Sequence, residues 1–131
     1  MTNKFIFSKR SEGNLAGVDP ALVKVVRRAL EISTVDFSVI EGKRTAERQK
    51  QLVAAGASKT MASRHLTGHA VDLFPVGGSW NDHKCWLPVL DAMHQAGKEL
   101  GVRLRFGVTW TDNPRDVPAK FLDAPHVEMP A

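Results

Sequence analysis

The chain reads as an α+β protein, with about three helices packed against a small, mainly antiparallel sheet. Three observations predict this. At 131 residues it has the size of a single domain, 1–131, long enough to bury a core without staples. Hydrophobic residues make up 43% of the chain among charges of both signs, the composition of a folded globule rather than a disordered segment. Stretches of helical and of strand period follow one another without regular βαβ alternation, which favours α+β over a parallel α/β sheet.

The elements can be justified in order. Asp19-Pro20 reads as an N-cap followed by proline in the first helical turn. Leu22, Val23, Val26, Ala29 and Leu30 then recur at helical spacing, with Lys24, Arg27, Arg28 and Glu31 on the opposite, solvated face. Asp36–Ile40 is a short strand carried by Phe37, Val39 and Ile40. Thr45 caps a second helix with Glu47 in its first turn, ending near Gly56. Loop residues lead to a strand at His69–Phe74. A third helix is expected over Asp82–Leu100, with Trp86, Val89, Leu90, Met93, Ala96 and Leu100 buried and Gly101 as its stop. Pro88 does not suit a helix interior, so this helix kinks there or begins later. Val102–Phe106 and Pro125–Met129 close the chain as two strands.

Composition excludes several classes of function. No apolar run approaches the roughly 20 residues of a membrane helix, so no membrane insertion is expected. MTNKFIFSKR holds only a three-residue apolar patch between basic positions, too short for a secretory signal peptide. The expectation is synthesis in a cytoplasm and release by other means. Cys85 is the single cysteine, which rules out an internal disulfide and a cysteine-based zinc knuckle. A net charge of +4 permits an anionic partner. The basic residues are scattered and tyrosine is absent, so nucleic-acid binding is not expected.

One stretch carries chemistry. SRHLTGHAVDLFP, residues 63–75, sets two histidines, a glycine and an aspartate among small and apolar residues. Catalytic zinc needs neutral imidazoles or carboxylates at about 2 Å, with one position left for water. His65 and Asp72 could supply two ligands, with Gly68 letting the chain turn between them. His126 in DAPHVEMP is the obvious distant third. His69 stands four residues after His65, the spacing of two imidazoles on one helical face. Gly68 interrupts that helix, no glutamate follows His65, and strand-like residues come next, so His69 is read as a non-ligand. Taken singly, each residue also fits a hydrogen-bonded histidine or a capping aspartate. Together they resist that reading, because Asp72 inside Val71-Asp72-Leu73-Phe74 is expensive to bury unpaired. His83 and His94 have no acidic or cysteine partner at ligand spacing and are read as surface or packing residues.

These residues also resemble a known family. Ser63-x-His65-x-x-Gly68-x-Ala70-x-Asp72 resembles the SxHxxGxAxD signature of LAS-type zinc peptidases. That group holds D-Ala-D-Ala carboxypeptidases (the VanY-like family), dipeptidases and phage L-alanyl-D-glutamate endopeptidases. Asp123-x-x-His126 resembles their second signature, and Arg44 in EGKRT resembles the arginine of their GxRT or GxRS motif. VRRALEIS, DFSVIEGKRT, QAGKELGVRLRFG and PHVEM look especially like the phage endolysin branch.

The resemblance implies the hedgehog/D-Ala-D-Ala peptidase fold and one zinc ion on His65, Asp72 and His126. It further implies Asp123 as catalytic base and Arg44 as oxyanion donor. Ser63 then orients a ligand or touches substrate, unless it merely opens a turn. The implied activity is hydrolysis of the L-alanyl-D-glutamate bond of the peptidoglycan stem peptide by a monomer that reaches the wall through a separate holin, lysing the host. The same zinc residues would serve a D,D-carboxypeptidase or dipeptidase, or a zinc-stabilised wall-binding module without catalysis. One departure stands out: Gly107-Val108-Thr109-Trp110 lacks the acidic residue of the branch's GGDW, which leaves substrate contact near Trp110 open. No regulatory ion site is carried over to the following loop, Thr111–Lys120.

Overall fold

Four antiparallel strands in the order β1-β2-β4-β3 form the sheet of the computed structural model, which describes residues 4–56, 63–120 and 122–130. The strands are β1 (Phe37–Glu41), β2 (Ala70–Pro75), β3 (Arg105–Phe106) and β4 (His126–Glu128). The helices are α1 (Lys9–Leu15), α2 (Pro20–Ile32), α3 (Ala46–Ala54) and α4 (Leu87–Leu100). The α+β reading therefore holds, with one more helix than expected.

α1 was not expected from sequence. Ser8 caps it by accepting from the Ser11 amide, and only Ser11 and Leu15 are buried. α2 is capped as expected, Asp19 Oδ1 accepting from Ala21 N at 2.9 Å. Its cationic face is tied up in ion pairs, Arg27 with Glu12 and Arg28 with Glu31 and Glu99. Thr45 caps α3 through the Arg48 amide. The expected third helix begins later than Asp82. A 3-10 turn, His83–Trp86, comes first, and Pro88 sits in the opening turn of α4, where its missing N–H costs nothing. Leu100, expected to be buried, is 45% exposed at the helix end. The two closing strands are shorter than expected, because only Arg105–Phe106 and His126–Glu128 find ladder partners. The loop expected after Gly56 lies partly outside the described residues, and its described end, Arg64–Thr67, is a 3-10 turn.

The core lies between the helices and one sheet face. Leu22, Val25, Val26 and Ala29 of α2 meet Val89, Leu90, Met93 and Ala96 of α4 over Val39, Val71, Leu73, Phe106 and Val127. Each large side chain buried here contributes about 1.5–3 kcal/mol. Strand alternation turns the other face of the sheet outward. That face carries Asp72 opposite His126 and Arg105 opposite Glu128.

β1 joins this polar face by an irregularity. Val39 pairs with Leu73, yet Glu41 pairs with Asp72, so Ile40 is an extra residue in the ladder. A bulge of this kind re-aims the side chains beyond it. Without it, Glu41 would follow Phe37 and Val39 into the core. With it, Glu41 stands beside Asp72.

Candidate metal centre

Asp72 is the middle of the site, and the ladder brings His126 to it. Asp72 and His126 are cross-strand partners in β2 and β4, and His126 Nδ1 lies 3.5 Å from Asp72 Oδ1. His65 arrives from the 3-10 turn, with Nε2 at 3.2 Å from the same oxygen. The chain can turn from His65 back into β2 because Gly68 takes φ 76°, and a Cβ there would meet Gly17 O at 2.4 Å. Ser63 begins that turn, its hydroxyl accepting from the His65 amide. Its observed contact is thus to the backbone of the turn.

The donor geometry suits a metal. One ligand atom from each of His65, Asp72 and His126 lies within 4.8 Å of the other two. Ligand atoms about 2.0–2.1 Å from a tetrahedral zinc sit roughly 3.3 Å apart, and the contacts on Asp72 are 3.2 and 3.5 Å. The far side of each ring decides which nitrogen faces inward. His65 Nδ1 lies 2.8 Å from Gly42 O, and since a carbonyl only accepts, Nδ1 carries a proton and Nε2 is the nitrogen that faces Asp72. His126 Nε2 lies 2.7 Å from Glu128 Oε1, which leaves Nδ1 facing inward. Partners of this kind fix ring orientation and tautomer at metal sites.

Burial opposes the charge on His126, but hydrogen bonds to Asp72 and Glu128 outweigh it and push its pKa up to about 9. Burial likewise opposes the charge on Asp72, and the two histidines still hold its carboxyl well below the usual carboxylate range. A buried anion between two rings thus gathers positive charge, which a proton or a metal can supply.

Two further residues lie near the cluster. Asp123 precedes His126 in a tight turn, where its backbone N donates to Gly107 O and its O accepts from the His126 amide. As a residue it remains open to solvent. Crowding of its carboxyl by protein and the nearby Asp72 charge raise its pKa, against the pull of His126, His65 and Arg44. Arg44 does not face solvent, its side chain being only 10% exposed. Its Nε donates to Glu41, its Nη1 donates to Gln49 Oε1 at 2.7 Å, and its Nη2 is 4.0 Å from Asp72 Oδ2.

His69 stays outside the cluster. Its Nδ1 is 2.6 Å from Thr67 Oγ1 and its Nε2 is 3.5 Å from Asp19. His94 packs its ring edge-on to Phe106, as a packing residue should. The structure adds Gly42, Gln49, Glu41 and the His126 contact of Glu128. Gly42, inside EGKRT, was the most accessible of these to sequence reading. Its backbone runs so close to α1 that a Cβ would meet Asn14 O at 1.9 Å. Gln49 carried no signal, because a polar residue within a short polar helix gives no hint of complete burial. Trp110 lies beside the centre, its ring 5.4 Å from that of His126.

Known proteins share this arrangement of sequence and fold. The family model described as phage L-alanyl-D-glutamate peptidase matches residues 3–130. The L-alanyl-D-glutamate peptidase of Escherichia phage T5 is 42% identical over 134 residues, covering 95% of this chain and 98% of that protein. The crystal structure of the Serratia marcescens L-Ala D-Glu endopeptidase ChiX superposes with a TM-score of 0.82 at 40% identity, covering 97% of this chain and 92% of that one.

Proposed function

We propose a mechanism from the premise that the chain belongs to the phage L-alanyl-D-glutamate peptidase family. The chain is a peptidoglycan endopeptidase that hydrolyses the bond between L-alanine and D-glutamate in the stem peptide. The observation that carries the reading is the convergence of two histidine nitrogens and one carboxylate oxygen, with each ring's other nitrogen already engaged.

In this reading zinc is the ion held by His65, Asp72 and His126, and when bound it supplies a Lewis acid that polarises the scissile carbonyl and acidifies water. Asp123 takes the proton of the attacking water and passes it to the leaving amine of D-glutamate. Its raised pKa suits both halves of that task, since a base closer to neutrality is also a better acid. Arg44 binds the carbonyl oxygen as negative charge develops there. Glu41 and Gln49 hold its guanidinium, so little reorganisation is needed during the reaction. Ser63 supports the His65 turn through the backbone.

Among the described residues no helix is long and apolar enough to cross a membrane. Passage to the wall is assigned to a separate holin, and the enzyme acts as a monomer of one catalytic domain. Turbidity of permeabilised Gram-negative cells tests the activity. The zinc-loaded chain should clear them, and chelation should stop clearing until zinc is restored. Clearing that persists in full through chelation would remove the metal from the account.

A further inference from the structure

We propose that Arg105, seated on Trp110 at the edge of the polar sheet face, recognises the free carboxylate of the substrate's D-glutamyl residue. The inference rests on the L-alanyl-D-glutamate reading above. A glutamyl residue acylated on its nitrogen by alanine carries two carboxyl groups. Whichever continues the peptide, the other is an anion a few bonds from the scissile nitrogen unless it is amidated. That anion must settle among Asp72, Asp123, Glu41 and Glu128, and it needs a cation that those groups have not already claimed.

Strand register brings Arg105 to the right face. Arg105 pairs across the ladder with Glu128, whose carboxylate touches His126, while its neighbour Phe106 pairs with Val127 on the core side. β3 is an edge strand, and Arg105 is exposed on it. Its guanidinium carbon lies 5.2 Å from the centre of the Trp110 ring, and that ring lies 5.4 Å from the His126 ring. The guanidinium is therefore no further from His126 than those two spacings together.

The support beneath Arg105 is built at a cost. Trp110 has φ 57°, the left-handed region that a bulky residue enters only with strain of about 1–2 kcal/mol. Its amide donates to Phe106 O at 2.6 Å, which closes the turn, and its carbonyl accepts from Arg105 Nε at 3.1 Å. The strained turn thus aims the indole at His126 and the carbonyl at Arg105 together. Nε and the ring face hold the side chain, and the planar fork of terminal nitrogens remains for a carboxylate.

Among the described residues, two other arginines near this face already have partners. Arg44 is held by Glu41 and Gln49. Arg64 spends Nε and Nη2 on Met129 O. Among the described residues Arg105 makes no contact ion pair, although from across the ladder its charge helps to lower the Glu128 pKa.

The test compares two synthetic stem peptides, one with the free glutamyl carboxylate and one with it amidated. Binding is measured by calorimetry on zinc-loaded Asp123→Asn, whose turnover is slowed by about 10²-fold or more. The free acid should bind about 10- to 100-fold more tightly than the amide, the range of a charge-assisted hydrogen bond. Adding Arg105→Ala should abolish that preference, whereas Arg105→Lys, which keeps the charge without the fork, should keep part of it. A preference that survives Arg105→Ala, or a parent that binds both peptides equally, overturns the proposal. Cleavage by the wild-type chain is scored separately: failure on both peptides counts against the endopeptidase reading, and the binding preference still decides the role of Arg105.

Discussion

Each histidine of the cluster is held from behind, and at the scale of single residues this support is open to test. Glu128 sits 2.7 Å from His126 Nε2 and is itself 8% exposed. Glu128→Gln preserves an acceptor but removes the charge. Zinc affinity should fall by about tenfold, the lower end of what such supporting partners contribute, as read by competition with a chromophoric chelator. Unchanged affinity would reduce Glu128 to a packing residue. Asp123→Asn separates binding from chemistry. The amide cannot take a proton from water at neutral pH, so hydrolysis of purified sacculi should drop by about 10²-fold or more with zinc content unchanged. Loss of zinc in that variant would make Asp123 a ligand. Asp72 was legible in the sequence because a carboxylate inside an apolar strand is costly, whereas Asp123 and Arg44 were pointed to only by the family resemblance. Glu128 was legible only as a neighbour on the His126 face, since strand alternation shows which side a residue takes and not which atom it touches.

At the scale of elements, short-range signals read well and long-range pairing did not. Asp19, Thr45 and Gly101 marked helix ends correctly because caps act within a few residues. α1 escaped notice because KRSEGNL has one aliphatic residue and so no apolar period. The β1 bulge escaped because register depends on the partner strand, and no local feature of FSVIE reports the extra residue at Ile40. Gly42 shows how tightly these elements are joined. A Cβ there would strike Asn14 O at 1.9 Å and Val18 Cγ2 at 2.8 Å, while the carbonyl of the same residue holds His65 Nδ1. Gly42→Ala should therefore lower stability by about 1–3 kcal/mol, the usual cost of overpacking, and weaken zinc binding with it. Thermal melts and zinc titration of one preparation would check both effects. A variant with full stability and full affinity would mean that α1 can move away freely.

At the scale of the whole molecule, the centre joins parts of the chain that are far apart in sequence, so filling it should stabilise the fold. His65, Asp72 and His126 come from the 3-10 turn, β2 and β4. Zinc at a thousandfold excess over its Kd should add about 4 kcal/mol, raising Tm by about 15 °C for a chain of this size. His126→Ala should lose that shift, and an equal shift in the variant would place the ion elsewhere. The central claim concerns the bond that is cut, and mass spectrometry of digested sacculi addresses it directly. Zinc-loaded chain should release stem peptides beginning at D-glutamate and leave glycan ending in L-alanine, and Asp123→Asn should form both about 10²-fold more slowly or worse. Release of terminal D-alanine alone, with the L-alanyl-D-glutamate bond intact, would contradict it.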